Sequence, residues 1–245
     1  VEKDNNRYVY CLWQGGNLFR MDLETGGQEW MKPFHPDGEF LRFNWNAGIA
    51  QDPIDNGTIY FGSQYLHKST DKGRNWEIIS SDLTTNDPEK QKQRETGGLT
   101  YDVTGAENHT TILSIAPSPI KKGVIWVGTD DGNLQITKDG GKNWKNVINN
   151  VRGVPKGSWI PQIHASKFKE GEAVIVFNNY RRDDWTPYLF RTRDYGQTWE
   201  NLVNNKDIWG YCLSWVQDPI EPKLQFLGTE FGLYVTIDDG KNWSK

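Results

Sequence analysis

Along the chain, apolar positions gather in short runs rich in Ile, Val, Tyr and Phe, and Gly, Pro, Asp or Asn cuts off each run. Runs of this length and composition predict β-strands. They also recur in a fixed order. Segments 49–53, 115–119, 163–168 and 215–219 each pass from apolar residues into a turn. A second apolar run follows at 58–62, 124–128, 173–177 and 224–228, and a third at 65–68, 134–136, 188–191 and 233–235. A short fourth segment, such as 77–79 or 145–148, completes every unit except the last. An earlier run at 8–13 reads as the second strand of a unit that has no first.

The same octapeptide follows the third run of each unit. Its pattern, Ser/Thr-x-Asp-x-Gly-x-Asn/Thr-Trp, occupies 69–76, 137–144, 192–199 and 236–243. A degenerate copy with Asp22, Gly26, Gly27 and Trp30 stands nearer the N-terminus. Successive octapeptide tryptophans are 68, 55 and 44 residues apart. The shortest interval matches the roughly 40–50 residues of a four-stranded propeller blade, and the longer ones imply insertions. The pattern therefore predicts an all-β β-propeller of four-stranded antiparallel blades, with about five blade units, the first and last incomplete. These units fall at about 8–34, 42–80, 110–149, 158–203 and 208–243, with an inserted loop at 81–109. Together they form a single propeller domain or propeller segment over 1–245.

Each residue type in the octapeptide answers a need of a hairpin turn. The Asp (Asp71, Asp139, Asp194, Asp238) can accept hydrogen bonds from N–H groups that the turn leaves unpaired. The Gly (Gly73, Gly141, Gly196, Gly240) supplies a positive φ. The Trp (Trp76, Trp144, Trp199, Trp243) returns the chain to the sheet and buries apolar surface. These twelve residues are expected to be structural. One carboxylate per turn falls short of the 6–8 oxygens of a calcium site, so no metal and no cofactor is expected.

Composition narrows the function classes. With 28 Lys+Arg against 32 Asp+Glu, the net charge is −4, and no Lys/Arg run exceeds two residues. Nothing there seeks a phosphate backbone, so nucleic acid is not expected as a partner. Mean hydropathy is −0.75 and no apolar stretch nears the roughly 18 residues of a spanning helix, so the chain is not expected to be membrane-embedded. Cys11 and Cys212 read as two buried thiols in preference to a single bridge. The first seven residues lack the charged-then-apolar pattern of a signal peptide, so the chain itself leaves its compartment open. Tryptophan is in excess, at 12 residues, and needs an explanation. Five of these tryptophans belong to the octapeptides and the degenerate copy, and Trp13, Trp126 and Trp215 are expected in the core.

The octapeptide resembles the Asp-box, or BNR, repeat, and the resemblance covers nearly the whole chain. That family forms β-propellers and includes sialidases, xyloglucanases and the ligand-binding domain of sortilin-type receptors. Segments 42–46 (RFNWN), 125–133 (IWVGTDDGN) and 181–188 (RRDDWTPY) look most like those of bacterial sortilin-like BNR proteins, which are described as glycosyl hydrolases. Such proteins are usually much longer, so the resemblance implies a fragment of a longer chain. It also implies a secreted or periplasmic setting.

In a blade that meanders outward from the central channel, the octapeptides share one face, and the insertions at 81–109 and 178–186 fall on the other. Loop elaboration on one face is how a repeat scaffold gains a binding surface. Segments entering the innermost strands start on that face and carry Trp45, His109, Trp159 and Trp209; Trp185 lies in the second insertion. Exposed there, these rings could stack on sugars or grip a peptide, although packing between blades is the favoured reading for Trp45, Trp159 and Trp209. Arg42 and Arg181 complete the ligand-binding candidates. A glycosidase would need two carboxylates flanking one sugar, for which Asp183, Asp184, Asp102 and Glu107 are the candidates. Asp130 and Asp131, before Gly132 in a tight hairpin, read as structural.

The leading expectation is a ligand-binding propeller that takes a peptide or glycan on the inserted-loop face, with binding favoured over catalysis. The alternatives are a glycoside hydrolase acting through two carboxylates on that face, and a structural module holding further blades or domains of a larger secreted protein.

Overall fold

The computed structural model describes residues 1–92, 95 and 108–245; Asp102 and Glu107 lie outside the described residues. Eighteen strands among the described residues form five antiparallel sheets. Sheet one contains β1 (Tyr8–Trp13), β2 (Asn17–Asp22) and β3 (Gln28–Trp30). Sheet two contains β4 (Ile49–Gln51), β5 (Ile59–Gly62), β6 (Leu66–Ser69) and β7 (Glu77–Ile78). Sheet three contains β8 (Ile112–Pro117), β9 (Ile125–Thr129), β10 (Leu134–Thr137) and β11 (Lys145–Asn146). Sheet four contains β12 (Trp159–Ala165), β13 (Ala173–Asn179), β14 (Asp184–Thr192) and β15 (Glu200–Asn201). Sheet five contains β16 (Cys212–Gln217), β17 (Gln225–Thr229) and β18 (Gly232–Thr236), and Ser244 bridges Val235 where a fourth strand would start. In every sheet the strands neighbour one another in chain order.

The core lies between the sheets as four apolar seams. Leu18, Met31, Phe43 and Phe61 fill the seam between sheets one and two, and Leu66, Leu83, Ile112 and Val127 that between two and three. Trp126, Leu134, Ile160 and Phe177 fill the next, and Val176, Leu189, Trp215 and Leu227 the last. Each seam ends on the octapeptide Trp of the later sheet: Trp76, Trp144, Trp199 and Trp243. Three of these indoles donate Nε1–H backwards across the seam, Trp76 to Met31 O (2.7 Å), Trp144 to Ile79 O (3.0 Å) and Trp243 to Leu202 O (3.0 Å). Trp199 instead bonds within its own turn, to Gly196 O (3.1 Å).

Glycine sets how closely the sheets approach. A Cβ on Gly62 would stand 2.5 Å from Ile112 Cγ2 of sheet three, and one on Gly128 2.4 Å from Ile160 Cγ2 of sheet four. Gly228 occupies the same place in sheet five, where an added Cβ meets only Ser214 of its own sheet. Beside Gly228, Leu213, Val216 and Leu233 are exposed. At the other extreme β1 forms the edge of sheet one, with β2 as its sole hydrogen-bonded neighbour among the described residues.

Inside the octapeptides the Asp does more than the turn alone requires. Asp139 accepts from Thr137 Oγ1 (2.8 Å), Asn143 N (2.9 Å) and Asn143 Nδ2 (2.7 Å), while Thr137 Oγ1 accepts from Gly141 N (3.0 Å). The other three copies repeat this set, with Thr198 replacing Asn in the third. The hydroxyl at the first place and the Asn or Thr at the seventh are thereby explained. The residue before the Gly is also left-handed in every copy: Lys72, Gly140, Tyr195 and Asp239, at φ between 60° and 75°.

Several expectations are corrected. Trp13 sits at the end of β1 and is 64% exposed, not core, because no sheet covers that edge among the described residues. Trp30 is likewise exposed, its ring against Phe19 (5.2 Å). The 178–186 insertion is not a loose loop: β13 and β14 run on and pair Asn179 with Asp184 around a single 3-10 turn, Tyr180–Arg182. The start of the 81–109 insertion is fastened to sheet three, since Leu83 is buried and its carbonyl accepts from Asn133 and Gln135. Cys11 and Cys212 are both free; Cys212 is buried and Cys11 is half-buried.

Candidate functional site

On the face opposite the octapeptides, the seam between sheets three and four opens into a cleft of about 580 Å³. Four backbone pieces enclose it: the β9–β10 turn, the approach to β12, the β13–β14 turn, and residues 85–90 of the inserted loop with His109. The first two pieces come together because glycines meet there. Gly132 has φ +90°, and a Cβ on it would lie 2.6 Å from Gly157 Cα.

Asp131 belongs to the floor, and Asp130 is buried beneath it. Asp131 accepts from Thr85 N (2.7 Å), Thr85 Oγ1 (2.6 Å) and Thr129 Oγ1 (2.5 Å), tying the inserted loop to the β9–β10 turn. Asp130 is fully buried and accepts from Thr111 N, Thr111 Oγ1 and Asn44 Nδ2 at 2.7–3.0 Å. Burial, and next the charge of Asp131, push the Asp130 carboxyl up to about 7. Above the floor, His109 Nδ1 lies 3.8 Å from Asp130 Oδ1. Burial, then Lys90, push this imidazole down to about 4, so it is neutral at pH 7. Its ring meets Trp159 edge-on, with centroids 5.9 Å apart.

The cleft wall is a stack. The Arg181 guanidinium carbon lies 3.6 Å from the Trp159 ring centroid and 4.4 Å from that of Tyr180. Burial lowers the Arg181 pKa from its ordinary value, yet guanidinium keeps its charge at neutral pH. Beyond it, Tyr180 stacks on Tyr211 (4.5 Å, 21° between planes), and Tyr211 meets Trp185 at 5.6 Å. The row therefore runs from Trp159 across the β13–β14 turn to the approach of β16. Asn178 lies beside the cleft, 4% exposed, and its buried Oδ1 has no hydrogen bond among the described residues.

The sequence candidates divide accordingly. His109, Trp159 and Arg181 line the cleft. Trp185 and Trp209 border a second, more open groove of about 520 Å³ together with Asp183 and Asp184. Packing between blades is not what Trp45 and Trp209 do, for they are 46% and 65% exposed; Trp159 is half-buried beneath Arg181. Arg42 is buried and committed to Thr110 O and the Asp82 carboxylate (2.7 Å), away from the cleft. Asp184 accepts from Thr186 N, Asn179 Nδ2 and Tyr188 Oη. Partial burial raises its pKa, but these bonds outweigh that and hold the carboxyl below its usual range. Asp183 is exposed at φ +58° and accepts from the Trp185 indole (3.0 Å).

Sequence reasoning missed Tyr180, Tyr211 and Asn178. Tyr180 was open to detection as the neighbour of Arg181 in the same insertion, and Tyr211 as an aromatic two residues past Trp209. Their stacking across two sheets has no signature in either segment alone.

No family model matches the sequence. Over 220 residues the chain is 25% identical to the oligoxyloglucan-reducing end-specific xyloglucanase of Emericella nidulans, the match covering 78% of this chain and 23% of that protein. Among solved structures it is similar to the GH74 xyloglucanase from Xanthomonas campestris, with a TM-score of 0.66 and 18% identity over 100% of this chain and 37% of that one. It is also similar to the Dos1 propeller, with a TM-score of 0.59 and 11% identity over 98% and 57% of the two chains. The chain thus spans less than two thirds of the length of each. Sheets, seams and likenesses agree on the fold: the chain is an all-β propeller of antiparallel blades.

Proposed function

We propose that the chain is a glycan-binding propeller of the Asp-box type, holding its ligand on the inserted-loop face. The observation that carries this is the aromatic row leading out of the cleft from Trp159, whose outer members Tyr211 and exposed Trp185 can meet sugar rings. The likeness to a xyloglucanase points to the same class of ligand. A secreted or periplasmic site of action goes with such a ligand. Calorimetric titration against soluble oligosaccharides tests the reading. Tyr211→Ala and Trp185→Ala are expected to weaken binding at least about tenfold at an unchanged melting temperature. Full affinity in both variants, or a peptide bound where no glycan is, counts against it.

The likeness to a xyloglucanase favours one second reading, glycoside hydrolysis. Hydrolysis needs two reachable carboxylates about 5–9.5 Å apart across a sugar. Asp130 and Asp131 are buried and hydrogen-bonded, and Asp184 braces its own turn. Asp183 with Asp102 or Glu107 is what remains for this reading. Reducing-end release from polysaccharides that Asp183→Asn abolishes would establish it; no release from any glycan removes it.

A further inference from the structure

We infer that the cleft selects an acidic glycan, a chain bearing uronate-type carboxylates, with Arg181 as the carboxylate contact. This rests on the glycan-binding reading and adds the charge of the ligand to it.

The argument is one of unequal satisfaction. Four cations line the cleft: Lys90, Lys156, Arg181 and Arg182. None has a carboxylate partner within 4 Å among the described residues, although the chain as a whole is acidic. Arg182 is spent on neutral acceptors, Lys156 O (3.0 Å) and Asn179 Oδ1 (2.6 Å). The carboxylates there are already engaged. Asp131 is held by Thr85 and Thr129, Glu89 by Lys92 (2.7 Å), and Asp87 by the Glu89 N–H (3.0 Å). Among the described residues the lining carries these four cations against the three carboxylates Asp87, Glu89 and Asp131, so the balance is positive.

Geometry then selects the kind of anion. The Arg181 guanidinium packs against the rings of Trp159 and Tyr180, which hold it at the cleft wall, so what it offers a ligand is its N–H groups. These match the two oxygens of a carboxylate. Arg181 also covers the Trp159 face, so a sugar at this point is met by charge and not by stacking. A uronate residue brings the carboxylate, and Tyr211 and Trp185 stand further along the wall for the next rings.

Calorimetry on the whole chain with hexagalacturonate, its methyl ester and neutral cellohexaose tests the inference. The acid is expected to bind at least tenfold tighter than the ester, with affinity falling as salt rises. Arg181→Gln should remove that tenfold preference of acid over ester. Lys156→Gln, at an exposed rim position, should weaken only the acid, by severalfold. Equal affinity for acid and ester overturns the charge selectivity and leaves glycan binding standing. Binding of a hexaglutamate peptide with no glycan bound at all overturns both.

Discussion

At the scale of single residues, the octapeptide turns hold two consecutive left-handed positions whose demands differ. At the first, Gly140 has φ +75° and an added Cβ would meet nothing within 4 Å; the other copies carry Lys72, Tyr195 and Asp239 there. Gly140→Ala is therefore expected to cost about 1 kcal/mol, the backbone strain alone. At the second, Gly141 has φ +100° and a Cβ would lie 2.6 Å from Ile79 O across a seam. Gly141→Ala should lower the urea midpoint by at least twice as much, and equal midpoints for the two variants would contradict this. The spacing of Asp and Gly made the turn legible in the sequence. The first left-handed position was not, because a residue with a side chain can hold it and does so in three copies of four.

At the scale of elements, the two middle seams are each a fit between the Gly of one sheet's second strand and an Ile of the next sheet's inner strand, Gly62 with Ile112 and Gly128 with Ile160. Gly128→Ala forces a methyl against Ile160 and Ser114 and is expected to cost about 1–3 kcal/mol by overpacking. Gly228→Ala meets only a Ser214 hydroxyl and should stay within about 1 kcal/mol. Thermal melts of the two variants decide it: equal losses would deny that the glycine sets sheet spacing. Strand order and the face carrying the insertions could be read from the repeat, since every unit presents the same runs in the same order. The cleft could not. It depends on Thr85 reaching Asp131, 46 residues on, and on Tyr180 meeting Tyr211 from another sheet. Pairings between units leave no trace in the period. Nor does burial: Arg42 and Arg181 look alike in the chain, yet one is sunk beside Asp82 and the other lies open on Trp159.

For the whole molecule, four such turns tie stability to the charge state of their carboxylates. The Asn at the seventh place holds Asp71, Asp139 and Asp238 down to about 2. Its side-chain amide is the largest cause for Asp139 and Asp238, and its backbone N–H for Asp71. A depressed folded pKa gives stability that is complete above the unfolded value of about 3.9 and lost as pH falls through the folded one. Urea midpoints should thus fall between about pH 4 and 2, with a shallower fall in Asp139→Asn; an identical slope in that variant would remove the turns as its cause. The seams also have a direction. The indoles of Trp76, Trp144 and Trp243 each donate back to a carbonyl of the preceding sheet, so loosening one octapeptide turn is felt first by the sheet before it.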